Sequence, residues 1–284
     1  MNALYRELKK QTSLAEQAAG WDQTTDSWRL NYHLMPPTGW LNDPNGLCCY
    51  GGEYHVFFQY SPLEPEGGLK YWGHYKSRDL LNWEYAGIAL YPDQPFDCHG
   101  VYSGSALAEE ETLHLFYTGN VKYAGEHDYV HSGRGANTVH AVSKDGIHFT
   151  HKECCMTNRD YPENCTCHVR DPKVWKEGET YYMVQGARRR DDQGEILVFT
   201  SKNLKKWDLA NRITTEETFG YMWECPDYFR LEGMQVLMVC PQGILTQGIQ
   251  YQNLYQNGYF ILNGSLTGEY CLSSYTELDY GFDF

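Results

Sequence analysis

"KSRDLLNWEY", residues 76 to 85, is the stretch on which the fold turns. It returns as "VSKDGIHFTH" at 142 to 151 and as "TSKNLKKWDL" at 200 to 209. Each copy holds a Ser, a charged residue, an Asp or Asn, and an aromatic six positions after the Ser: Trp83, Phe149 and Trp207. A second phrase, a polar turn followed by a β-rich strand, recurs as "YGGEYHVFFQY", "EEETLHLFYTG", "KEGETYYMVQG" and "LEGMQVLMVCPQG". Four copies roughly 55 to 70 residues apart, each reading as a run of antiparallel strands, predict an all-β fold of β-propeller blades. A β-sandwich of irregular strands is the rival, and it gives no reason for the phrases to recur.

The rest of the 284 residues agrees with that class. The 24 Tyr and 8 Trp favour strands, and the 27 Gly favour turns. A formal charge of -14 repels phosphate backbones, so no nucleic-acid partner is expected. The basic triplet Arg188 to Arg190 runs straight into Asp191 and Asp192 and reads as a solvated hairpin tip. No apolar run is long enough for a membrane span, and the N-terminus lacks the apolar core of a signal peptide. A cytoplasmic location is therefore expected. Residues 1–28 form a helical segment, with Leu4, Leu8, Ala15 and Ala19 at helical spacing and an end near Gly20. The ten cysteines show no disulfide framework. "CTCH" at 165 to 168, with Cys154 and Cys155 upstream, has adjacent thiols that suit a tetrahedral metal poorly, so no metal is expected.

Ahead of each strand phrase, where the innermost strand of a blade begins, stands a polar cluster. These are "NDPNG" with Asp43, "YSGSA" with Ser103, "VRDPK" with Arg170 and Asp171, and "WECPD" with Glu224. A lone Asp before Pro is ordinarily a turn former or cap, and Asp43 and Asp171 each admit that reading. Glu224, between Trp223 and Cys225, is a charge amid apolar neighbours and costly without a purpose. Equivalent positions in successive blades lie around one channel mouth, so three acids are expected to converge there. Two carboxylates across a sugar are the minimal machinery of glycoside hydrolysis, one attacking or activating water and the other donating a proton. Trp40, Trp72, Tyr102 and Trp223 are expected to offer sugar-stacking faces.

In order, "WLNDPNG", "FFQY", "WGH", "YSGSA", "RDP" and "ECPD" resemble glycoside hydrolase family 32, the invertases and other β-fructosidases, from His33 onward. "EGGLKYWGHYKS" resembles the intracellular sucrose-6-phosphate hydrolase branch more than the secreted invertases. The resemblance implies a five-bladed β-propeller over residues 29–284 and retaining hydrolysis of sucrose, its 6-phosphate or a fructo-oligosaccharide. Asp43 would be the nucleophile, Glu224 the acid and then the base, and Asp171 a binder of fructose hydroxyls. Asn42, Gln59, Trp72, Tyr102, Ser103 and Arg170 would line the fructose pocket. Cys225 would tune the acid or simply pack. Because carboxylates fill both catalytic roles, no cofactor is called for.

Two departures from the family pattern stand out. Eight residues after Gln59, where the family often carries Trp, this chain has Gly67, followed by Gly68, Leu69 and Lys70. The space could hold a phosphate, with Lys70, His74 or Lys76 as the cation. The chain also ends at "LDYGFDF", where a fifth blade would begin, with Asp283 at that blade's rim and no C-terminal β-sandwich. A truncated fifth blade is the expectation, and oligomeric state is left open. Two other readings stand beside the fructosidase: an arabinan-cleaving five-bladed glycosidase, and a sugar-binding or inactive propeller fragment.

Overall fold

Three strands end in the same turn. Ser77, Ser143 and Ser201 each place Oγ to accept the amide three residues on, from Leu80 at 2.9 Å, Gly146 at 3.0 Å and Leu204 at 3.0 Å. The Asp79, Asp145 and Asn203 side chains then take the next two amides, at 2.7 to 3.0 Å. The residue three after each Ser is left-handed, with φ of 64° at Leu80, 74° at Gly146 and 63° at Leu204. Short polar side chains that replace backbone partners are what such a turn requires. The repeated phrase therefore marks a repeated turn.

The computed structural model describes residues 2–20, 28–30, 32–149 and 151–280. Four antiparallel meanders follow one another along the chain, each with the build of a propeller blade. The first is β1 (Trp40–Tyr50), β2 (Glu53–Ser61), β3 (Tyr71–Ser77) and β4 (Trp83–Leu90), paired in that order. The second is β5 (Val101–Glu109), β6 (Thr112–Lys122), β7 (Arg134–Ser143) and β8 (His151–Met156). The third is β9 (Cys165–Glu177), β10 (Thr180–Arg189), β11 (Gly194–Ser201) and β12 (Asp208–Ile213). The fourth is β13 (Met222–Leu231), β14 (Met234–Gln242), β15 (Gly258–Gly264) and β16 (Tyr270–Leu272), with β17 (Thr276–Glu277) also on β15. The repeated turn ends β3, β7 and β11, the third strand of each of the first three blades.

The chain separates into two compact units, residues 1–121 with 139–153 and residues 122–138 with 154–284. The first unit's core is built from Phe57, Trp72, Leu90, Val101, Leu115 and Tyr117, all without exposed surface. The second unit's core is Val184, Ile196, Val198, Trp223, Leu237 and Val239, equally enclosed. Alternation along the strands supplies both cores, since successive side chains leave opposite faces.

Helix α1 (Ala3–Ala18) starts at Asn2, whose side chain accepts the Tyr5 amide at 2.7 Å. Its docking face differs from the expected stripe. Leu8 and Thr12 are buried while Leu4 is exposed. The surface beneath is lined with tyrosines: Leu8 packs with Tyr71 and Tyr91, and Glu16 Oε1 accepts Tyr85 OH at 2.7 Å and Tyr60 OH at 3.1 Å. A face that meets phenol hydroxyls takes a carboxylate where apolar spacing placed alanine.

The triplet Arg188 to Arg190 does sit at the β10–β11 turn, with Arg188 bound to Asp192 at 2.7 Å and Arg189 to Asp191. The described residues hold four blades, so the expected start of a fifth is not among them. Asp283 and part of the expected helical segment 1–28 (Met1 and residues 21–27) lie outside the described residues. Among the described residues no helix is long and apolar enough to cross a membrane.

Candidate active site

Each polar cluster lies on the first strand of its blade, and each lies at a break in strand pairing. In β1 the register slips between Asn42↔Gln59 and Pro44↔Phe58, so Asp43 is the extra residue of a bulge. In β5 it slips between Tyr102↔Thr118 and Gly104↔Tyr117, which makes Ser103 the extra residue. In β9 the slip spans Asp171 and Pro172, and in β13 it spans Cys225 and Pro226. Bulges bend a strand and re-aim a side chain, and proline, with no N–H to lose, is tolerated there. Asp-Pro and Cys-Pro thus mark three of the four bulges, and the fourth has Gly104 after Ser103.

In the first unit the bulges hold Asp43 from several sides. Asn42 Nδ2 donates to Oδ1 at 2.9 Å, while Gln59 Nε2 and Ser103 Oγ donate to Oδ2 at 3.2 and 2.5 Å. The Gln59 amide also donates to Ser103 Oγ at 2.5 Å, which points that hydroxyl's proton at the carboxylate. Asn45 joins the two bulges: its Nδ2 donates to Asp43 O at 2.8 Å and its Oδ1 accepts the Gly104 amide at 3.0 Å. Gly104 has no substitute, since a Cβ there would stand 1.9 Å from Phe116 O. Asn42 Oδ1 is buried and accepts nothing.

In the second unit two left-handed residues precede prolines, Asp171 at φ 61° and Cys225 at φ 44°. Such backbone is strained for a residue with a side chain and clusters at functional sites. Asp171 Oδ2 accepts the Cys225 amide at 2.9 Å and ties the two bulges together. Glu224 is clamped on both oxygens. Arg170 donates to Oε1 through Nε at 3.2 Å and Nη2 at 2.5 Å, and Gln242 Nε2 donates to Oε2 at 2.5 Å. Burial works against the Arg170 charge, but Glu224 and Asp171 outweigh it and hold the guanidinium above its ordinary value.

Behind Arg170 stands His168. Arg170 Nη1 lies 2.6 Å from His168 Nδ1, and His168 Nε2 lies 3.1 Å from Tyr129 O. A guanidinium only donates, so Nδ1 accepts and the ring proton is on Nε2. Burial, then the charges of Arg170, Arg134 and Arg188, push His168 down to about 3, so the ring is neutral.

The structure alters several expectations. Trp72 and Trp223 have no exposed surface and offer no face to a sugar. Trp72 instead donates Nε1 to Tyr102 O at 3.2 Å, and Trp223 donates to Phe219 O at 2.7 Å, so both brace strands. Trp40 and Tyr102 are half-buried. Asn45, Gln242, His168 and the Cys225 amide are contributions that sequence reasoning missed. Asn45 stood within "NDPNG" and Cys225 within "ECPD", but Gln242 left no signal. His168, weighed in sequence as part of a metal cluster, has both ring nitrogens engaged by Arg170 and Tyr129, while Cys165 Sγ faces Glu195 at 3.5 Å.

A sequence model described as glycosyl hydrolases family 32 N-terminal domain matches residues 33–284. The chain belongs to this family. Within family 32, a sucrose-6-phosphate hydrolase from Bacillus subtilis is 43% identical over 288 residues, covering 99% of this chain and 56% of the relative. The structure of a sucrose-6-phosphate hydrolase from Lactobacillus gasseri aligns with a TM-score of 0.82 at 35% identity, covering 95% of this chain and 54% of that one. A family 32 β-fructofuranosidase from Bombyx mori aligns with a TM-score of 0.82 at 33% identity, covering 97% and 57%. The chain spans about half the length of the curated relatives it matches.

Proposed function

We propose that the protein hydrolyses the β-fructofuranoside bond of sucrose or sucrose 6-phosphate with retention of configuration. The observation that carries this reading is the Asp43 carboxylate, held by Asn42, Gln59 and Ser103 on a strand bulge within a family 32 sequence. Fixing both oxygens of a nucleophile removes the orientational freedom that an attack would otherwise have to freeze out. In this mechanism Asp43 attacks the anomeric carbon of fructose as the bond to the leaving sugar breaks, giving a fructosyl ester. Glu224 donates a proton to the departing oxygen, then removes one from the water that cleaves the ester.

Arg170 and Gln242 aim Glu224 for both steps. When Glu224 acts as acid it carries a proton, and its unprotonated oxygen still accepts from these donors. Asp171, fixed by the Cys225 amide, is assigned to fructose hydroxyls, as is the unpartnered Asn42 Oδ1. Tyr102 would border the same sugar. Gln59 and Ser103 act mainly through Asp43, since their polar groups are already turned to it. A fifth blade is part of this proposal through the family resemblance alone.

The test is fructose release from sucrose by the purified chain, beside Asp43→Asn. Loss of about 10³-fold or more in kcat is expected for the variant, as for removal of a covalent nucleophile. Run in aqueous methanol, the reaction should yield the methyl β-fructofuranoside. Release that survives Asp43→Asn, or the α product, would contradict the proposal.

A further inference from the structure

Three cations flank the Gly67–Gly68 stretch in sequence, and the structure leaves one of them uncommitted. His74 Nε2 is 2.9 Å from His55 Nδ1 and its ring stacks on Phe57 at 4.2 Å. Burial, then the charges of His55 and Lys76, push it down to about 3, so it carries no charge near neutral pH. Lys76 is spent on Glu53 at 3.5 Å and Glu84 at 3.6 Å.

Lys70 differs. Its ammonium sits 3.8 Å over the Trp40 ring, and its oxygen neighbours are Gly68 O at 3.3 Å and Ser61 Oγ at 3.5 Å. Among the described residues it forms no ion pair. Burial lowers its pKa even though Asp43 and Glu64 act in the other direction. A half-buried ammonium with no fixed counter-ion is costly to keep, and a bound anion removes that cost.

The surroundings keep the cation open and tie it to Asp43. Gly67 is left-handed at φ 82°, and a Cβ there would come 2.9 Å from Lys70 Nζ and 3.2 Å from the Trp40 ring. A side chain at position 67 would therefore push the ammonium aside. Lys70 O accepts the Val101 amide at 2.9 Å, on the strand that carries Ser103. Trp40 begins the strand that carries Asp43. Lys70 is thereby fixed to both strands that hold Asp43.

We propose that Lys70 binds the phosphate of a phosphorylated leaving sugar, so that the 6-phosphate of sucrose is preferred over sucrose itself. This rests on the fructosidase reading of the same site. The competing account, in which Lys70 only supports the Asp43 charge, predicts equal effects on both substrates.

Binding separates this proposal from the activity. Calorimetry on the Asp43→Asn chain should find sucrose 6-phosphate bound about tenfold or more tighter than sucrose, the size expected for one charge-assisted contact. Adding Lys70→Met should bring the two affinities together, while Lys70→Arg should keep most of the difference. Equal affinities in the Lys70 protein, a preference that survives Lys70→Met, or binding of neither sugar would overturn it. Thermal melts confirm that each variant folds. Fructose release by the unsubstituted chain tests the fructosidase reading separately, since the binding comparison needs no turnover.

Discussion

Ser103 contributes one hydroxyl, and its value lies in where that proton points. Gln59 donates into Ser103 Oγ, so the hydroxyl proton is turned onto Asp43 Oδ2. Ser103→Ala would remove a hydrogen bond to a carboxylate, a contact worth about 1.5 to 3 kcal/mol. On the proposed mechanism kcat should fall about 10- to 100-fold with KM changed little, because orientation of the nucleophile matters most in the transition state. Steady-state kinetics on sucrose check this, and an unchanged kcat would mean that Asp43 needs no such support. Gln242→Met applies the same test to Glu224, whose Oε2 would lose its donor while Arg170 kept Oε1. Here too kcat should fall, in the same steady-state kinetics, because the proton donor loses one of the groups that aim it.

At the level of strands, the polar cluster of each unit lies on bulges, marked by proline after Asp43, Asp171 and Cys225 and by Gly104 after Ser103. The motifs "NDPNG", "YSGSA", "VRDPK" and "WECPD" contain those residues, and repetition in the sequence located all four first strands. What sequence could not show is which atoms the bulges bring together. That Asn45 joins β1 to β5, or that Asp171 accepts the Cys225 amide, depends on backbone turns of a few residues that no spacing encodes. The buried Trp72 and Trp223 are the converse case. Their place beside the motifs suggested sugar faces, but strand alternation turns both into the cores. Gly186 illustrates the packing that fixes β13: a Cβ there would lie 1.8 Å from Trp223 O. Gly186→Ala should therefore destabilise the protein by about 1 to 3 kcal/mol, as overpacking does, and weaken activity by displacing Glu224. A melting temperature equal to that of the parent would refute this account of the close approach.

Across the molecule, stacked histidine pairs recur. His55 pairs with His74 at 2.9 Å and His114 with His140 at 2.8 Å, each pair stacked on a phenylalanine of the same blade. Burial is the first cause that lowers His55, His74 and His114, and His74 reaches about 3 against an ordinary 6.5. A folded-state value below the unfolded one means that the unfolded chain binds more protons across the interval. Stability is therefore fully present above about pH 6.5 and falls as pH drops toward 3. Urea midpoints between pH 7 and 5, above the main carboxylate range, should decline with falling pH. His74→Leu should flatten that decline, and an equal slope in both proteins would show that the buried pair does not set it.

On the proposed mechanism Asp43 becomes covalently attached to fructose. Intact-mass analysis of the Glu224→Gln protein, mixed with a β-fructofuranoside whose leaving group needs no proton, tests it most directly. The expected product is a protein heavier by one fructosyl residue, with the label on the peptide containing Asp43, because attack proceeds while the ester waits for its missing base. An unlabelled protein that still releases fructose, or a label on any other residue, would contradict it.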